Sequence, residues 1–233
     1  MGNESLSALV GLAFVYGLIH ALDADHIMAV TGLYGSEPSK NSIRLCRNWA
    51  LGHSLVLLLT GFCVYILGFV LPPNFSEIAD YMVGVILVII GLAIVRDLVS
   101  NRAQLFFHQH AGMQAHAHWY RPGSAKTAGH QHSHDHRALF VGIAHGAAGA
   151  APMLAMFSLA RTQSPWLLIA CILIFVTGIF IAMLFFGGAL GYLMRHLLKY
   201  GDRVMPVMRS TAAAGSVIMG LFMLRGLLPG HWL

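Results

Sequence analysis

The chain has 233 residues, 57% of them hydrophobic and only 10% charged, with a mean hydropathy of +0.70. A soluble globular domain carries about 25% charged residues, so the composition excludes one and points to a membrane protein. The formal net charge of +5 is no nucleic-acid signature, because the basic residues gather between apolar runs, and the scattered Cys46, Cys63 and Cys171 imply no disulfide framework.

A bilayer span needs about 20 apolar residues, and six runs are long enough, at about 6–32, 45–70, 78–99, 138–160, 166–193 and 207–228. The expected fold is all-α, a polytopic membrane protein of six transmembrane helices. Residues 1–5 carry no basic segment and no small-residue cleavage site follows them, so the first run is expected to be kept. Leu71-Pro72-Pro73-Asn74 and Ser164-Pro165 interrupt the pattern. Connectors are short except for one at 100–137. With six spans, the first, third and fifth connectors share a side. They hold Lys40, Arg44, Arg47, Arg96, Arg102, Arg121, Lys126, Arg137, Arg195, Lys199, Arg203 and Arg209, against Arg161 and Arg225 opposite. The positive-inside rule places those connectors in the cytoplasm and both termini outside.

Span one carries His20-Ala21-Leu22-Asp23-Ala24-Asp25-His26 in an otherwise apolar run. An Asp inside a membrane costs roughly 2.5–3.5 kcal/mol on insertion scales, so two carboxylates and two imidazoles here imply a polar site facing the protein interior. On a regular helix, taking His20 as zero, Asp23 lies near about −60°, His26 near about −120° and Asp25 near about +140°. One unbroken helix therefore cannot aim His20, Asp25 and His26 at one ion. Either the helix is broken here, as at transporter ion sites, or the residues serve different shells. The bland alternative is a solvated helix end with a capping Asp. Imidazole and carboxylate are the ligands of first-row divalent ions, which favours a metal site. Asp23 suits an outer role, holding an imidazole tautomer.

His53 is embedded in span two, in Leu51-Gly52-His53-Ser54, and His145 in span four, flanked by Gly142, Gly146 and Gly149. A lone His on an apolar helix is usually a hydrogen-bonded core residue; three spans each carrying one argue for convergence, and small residues allow close helix approach. Gly17-Leu18-Ile19-His20-Ala21 also matches Gly142-Ile143-Ala144-His145-Gly146. Three spans per half invert the second half against the first, which predicts a 3+3 inverted repeat with the site between halves. The second copy has Ala150 and Ala151 where Asp25 and His26 would stand. The expected organisation is a first half at 1–99, a His-rich connector at 100–137 and a second half at 138–233.

That connector holds His108, His110, His116, His118, His130, His132, His134 and His136. A dense imidazole tract captures transition metals, against the plainer reading of a low-complexity linker. It has few apolar residues, so no element is expected in it without metal. Spans five and six read as scaffold, and Met153, Met156 and Met183 as packing. No phosphate loop, no His-Glu-x-x-His and no Gly-x-Ser-x-Gly occurs, so nothing suggests ATP hydrolysis or proteolysis. A divalent ion moving inward gains roughly 4.6 kcal/mol per 100 mV, enough to drive a facilitator.

At these residues the chain resembles the nickel/cobalt transporter superfamily. That family's first motif, His, four residues, Asp-His, stands here as His20, Asp25 and His26, and its Leu-Gly-His-Ser motif as residues 51–54. With Gly-x-x-His-Gly in span four, the six-span form is most similar to the urease-accessory-type nickel transporters. The resemblance implies selective permeation of Ni²⁺ or Co²⁺ as substrate, with no cofactor and no enzymatic activity. It implies that His20, Asp25, His26 and His53 are essential, with His145 following from the branch motif. The extra N-terminal helix and the further acidic motifs of eight-span members are absent.

The expectation is thus a bacterial inner-membrane transporter, favoured direction uptake. Its partners would be the lipid bilayer, divalent transition-metal ions and nickel-enzyme maturation proteins. The His-rich connector is similar to that of efflux members and supports the alternative of export, with the connector collecting cytosolic metal. An intramembrane metalloenzyme and a metal sensor or store are the rivals from other classes.

Overall fold

The computed structural model describes residues 3–36, 41–100, 104–108, 116–120, 135–158, 164–197 and 204–225. Seven helices and one hairpin follow in order: α1 (Asn3–His20), α2 (Ala24–Ser36), α3 (Ser42–Tyr65), α4 (Phe75–Val99), β1 (Gln104–His108), β2 (His116–Tyr120), α5 (Asp135–Ser158), α6 (Pro165–Leu197) and α7 (Val204–Arg225). Four helices are long and apolar enough to cross a membrane: Ser42–Tyr65, Phe75–Val99, Pro165–Leu197 and Pro206–Arg225. The pair Ser7–His20 and Ala24–Tyr34, bent by 47°, makes a fifth. The sequence reading of six spans therefore stands at four to five by this measure among the described residues, and α5, 24 residues long, lies outside that count.

One alternative is borne out and one expectation is corrected. The first apolar run is two helices broken at Ala21–Asp23, as the alternative of a broken helix held. The connector expected to hold no element contains the antiparallel hairpin, with His108 opposite His116 and Phe106 opposite His118 in the backbone register, so among the described residues the regular structure is helical except for it. The β-favouring aromatics Phe106, Phe107, Trp119 and Tyr120 lie in the two strands, a signal that histidine counting passes over.

The break in the first run has a local chemistry. α1 tightens at its end, Leu22 N–H donating to Ile19 O (2.9 Å) and Asp23 N–H to His20 O (3.2 Å), a three-residue closure common at helix C-termini. α2 restarts with Ile27 N–H donating to Asp23 O. Backbone groups freed inside a bilayer must find partners in the protein, and the His26 Nδ1–H meets that need by donating to His20 O at 2.8 Å. The signature residues thus stabilise the interruption that positions them.

α3 starts at Asn41, whose side chain accepts from Ile43 N (3.0 Å) and Arg44 N (3.4 Å). It ends before Gly68 (φ +72°) and the two prolines. The broadest seams are α3 on α5, α4 on α7, α3 on α6 and α1 on α6. Glycines set them. Gly142 and Gly146 lay α5 along the backbone of α3 at Trp49 and His53, and Gly52 lays α3 against Leu139 O and Ile143 N. On the other side Gly17 meets Phe175 O, and Gly178 meets Phe14 O and Leu18 N. Gly91 faces Ala213 O and Val217 on α7, while Gly220 faces Gly84 O and Val88 on α4. Large apolar side chains such as Leu12, Ile19, Leu59, Ile89, Phe185 and Phe222 are exposed, far more than a soluble monomer tolerates.

Candidate metal site

The site lies where the broken end of α1, the start of α2, the middle of α3 and the middle of α5 meet. His20 ends α1, and its Nδ1 lies 2.9 Å from Asp23 Oδ2. His26 sits in the first turn of α2 with Nδ1 tied to His20 O. His145, on α5, has Nδ1 tied at 2.9 Å to Val141 O, one turn earlier. In each case an oxygen claims Nδ1 as the protonated nitrogen and leaves the Nε2 lone pair for another partner, the arrangement that fixes metal-binding histidines.

The four rings converge. Centroids lie 4.8 Å apart for His20 and His26, 5.0 Å for His26 and His53, 5.4 Å for His20 and His53, and 5.5 Å for His26 and His145. His53 and His145 are fully buried and His26 nearly so. The ligating atoms of His20, His26 and His53 lie within 4.8 Å of one another, and so do those of Asp23, Asp25 and His26. His20 Nε2, both ring nitrogens of His53 and His145 Nε2 are buried with no hydrogen-bond partner. A buried polar group left unpaired costs about 1–3 kcal/mol, so four such nitrogens are unfavourable for stability alone. A divalent cation ligated by imidazole would answer one nitrogen on each ring it binds, and the clustered ligand atoms join His20 and His53 with His26.

Of the residues singled out from the sequence, the structure brings together His20, Asp23, Asp25, His26, His53 and His145. It separates the signature motif, however: His20 and His26 join His53, while Asp25 joins Asp23 and His26. Ser54 is buried on α3, its hydroxyl unpaired. Of the connector histidines, His108, His116 and His118 lie in the strands and His136 is exposed in the first turn of α5. His110, His130, His132 and His134 fall outside the described residues.

Three neighbours, Trp49, Phe175 and Asp80, were missed in the sequence, where Gly149 was read only as a small residue beside His145. Trp49, fully buried, stacks on His53 at 4.8 Å and 20° and meets His26 edge-on at 4.9 Å. Phe175, from the span read as scaffold, stacks on His20 at 5.5 Å. Gly149 presents bare backbone to the rings: a Cβ there would lie 3.1 Å from His20 Nε2 and 3.6 Å from His53 Cε1. Asp80, half-buried on α4, feels the charge of Asp25. Only Asp80 had a usable signal, an acid inside an apolar run.

Comparison with known proteins agrees with this geometry. The sequence model of the family described as High-affinity nickel-transport protein (NicO) matches residues 6–200. The Urease accessory protein UreH of Bacillus sp. (strain TB-90) is 28% identical over 193 residues, covering 82% of this chain and 79% of that protein. No solved structure matches the chain.

Proposed function

The chain belongs to the family of high-affinity nickel-transport proteins, and from that premise we propose that it carries Ni²⁺, and Co²⁺ with it, inward across the bacterial cytoplasmic membrane. It is a multi-pass membrane protein and a transporter, with nickel its substrate. The observation that carries the reading is the set of converging imidazoles, His20, His26, His53 and His145, whose Nδ1 atoms are anchored on three of the four, with His20 Nε2, His145 Nε2 and both ring nitrogens of His53 buried without hydrogen-bond partners. Desolvated Ni²⁺ gains in imidazole nitrogen what it loses in water. Burial among apolar walls (Trp49, Phe175) rejects ions that keep their hydration shells.

A six-span, 3+3 inverted arrangement fits this role, with α1 and α2 together as the first span and α5 as the fourth. Its support is the exchange of contacts between halves. Gly17 on Phe175 answers Gly142 on Trp49. Gly178 on Phe14 and Leu18 answers Gly52 on Leu139 and Ile143. Gly91 on Ala213 and Val217 answers Gly220 on Gly84 and Val88. The halves are unequal chemically, since Ile179 takes the place of His53 in the exchange. Arg44, Arg47, Arg137 and Arg195 lie where the starts of α3 and α5 meet the end of α6, which supports a cytoplasmic end there, with the termini outside. The His-rich connector leaves the same end and would receive nickel for maturation of a nickel enzyme, in keeping with the urease accessory protein to which the chain is similar.

The test is ⁶³Ni²⁺ accumulation in cells expressing the chain and its His20→Ala and His53→Ala variants. Raised accumulation abolished in both variants is expected. Lowered accumulation with added nickel tolerance, again lost in the variants, would mean export, the reading that the histidine tract on the basic end favours. No change in either sense would refute nickel transport through this site.

A further inference from the structure

We propose that the signature turn holds two ion positions that share a single lone pair, Nε2 of His26, and are therefore filled in turn and never together. The inference rests on the transport reading above and adds an order of events to it. Two groups of ligand atoms each fit within 4.8 Å: Asp23, Asp25 and His26, and His20, His26 and His53. His26 belongs to both. Its Nδ1 is committed to His20 O at 2.8 Å, which leaves Nε2, 3.7 Å from Asp25 Oδ2. An imidazole nitrogen has one lone pair and binds one ion. An ion on the carboxylate side therefore empties the imidazole side, and the reverse.

The two positions differ in chemistry and in access. Side-chain exposure falls from 50% at Asp23 through 20% at Asp25 to 3% at His26, so the carboxylate position is the open one. Beyond His26 stands His53, fully buried, with neither ring nitrogen paired. Carboxylates attract divalent cations broadly and exchange them with water; imidazoles favour the later first-row ions. The geometry thus captures first and selects second. An ion stays on His26 while Asp25 and Asp23 are exchanged for His53 and His20, so it is never bare. Asp23 couples the two positions, because the oxygen that would face the ion belongs to the carboxylate holding His20 at 2.9 Å.

The test uses the purified full chain, Ni²⁺ titrations and rapid mixing with Ni²⁺, on wild type, Asp25→Asn, Asp25→Glu, His53→Ala and His26→Ala. Replacing His26 is expected to remove one ion per chain, measured as a difference so that ions held by other histidines cancel. Asp25→Asn is expected to leave equilibrium affinity within about threefold but slow association by roughly tenfold or more, the scale of electrostatic capture; Asp25→Glu restores the rate. His53→Ala is expected to keep association near wild type and to weaken affinity by about 10–100-fold through faster release. A loss of two ions in His26→Ala would overturn exclusive sharing. Equal losses of affinity in Asp25→Asn and His53→Ala, with association unchanged, would overturn the order of events. If the wild type binds no Ni²⁺ that depends on His26, the transport reading itself falls, which none of the kinetic outcomes would imply.

Discussion

Replacing Gly149 by alanine tests whether the space among the rings belongs to the ion. The added methyl would lie 3.1 Å from His20 Nε2, 3.4 Å from His20 Cε1 and 3.6 Å from His53 Cε1, with no backbone among its three nearest contacts. Imidazole nitrogens hold divalent ions at about 2.0–2.1 Å, so the methyl and the ion compete for the room in front of His20 Nε2. Making room for both means pushing a ring whose Nδ1 is already fixed on Asp23. Overpacking of this kind costs about 1–3 kcal/mol. At about 1.4 kcal/mol per factor of ten, the Ni²⁺ dissociation constant should rise by roughly 5–150-fold. The assay is Ni²⁺ binding to purified protein, with Gly11→Ala, whose Cβ would meet no atom within 4 Å, as the control. A Gly149→Ala protein that folds and binds Ni²⁺ within about twofold of wild type would refute the placement of the ion.

Gly142→Ala should behave in the opposite way. Its Cβ would press on the backbone of α3, 2.9 Å from the Trp49 carbonyl carbon and 3.1 Å from His53 N. Backbone cannot yield like a ring, so a loss of at least about 1–3 kcal/mol in stability is expected, seen as a lower thermal midpoint in detergent. Asp23→Asn removes the acceptor that fixes the His20 tautomer, and a loss of about 10–100-fold in Ni²⁺ affinity is expected from such a partner; unchanged affinity would leave Asp23 a solvated charge. Asp97→Asn weakens the ion pair with the buried guanidinium of Arg209 (3.6 Å). With Asp97 partly exposed, a loss nearer about 1 kcal/mol than the 3–5 of a fully buried pair is expected, measured by thermal unfolding.

Much was legible in the chain itself. Low charge and long apolar runs determine a helical membrane protein, because only helices and closed barrels satisfy their backbone in lipid. The cost of ionisable groups in an apolar run marks His20 to His26 as a site, and the helical wheel shows that one regular helix cannot gather His20, Asp25 and His26. Embedded histidines at 53 and 145 read as convergent for the same reason of cost.

What the sequence could not decide was which of these meet. The break at Ala21–Asp23 needs the His26 ring to return to the His20 carbonyl, a bond formed only once the two short helices bend by 47°. Trp49 and Phe175 have no periodic or compositional mark; they matter because α3 and α6 meet the site, and that crossing is set by glycine-to-backbone packing between distant segments. The division of the motif into a carboxylate group and an imidazole group likewise comes from tertiary structure. Residue spacing settles directions around one helix axis, whereas ligand sets are settled by distances between axes.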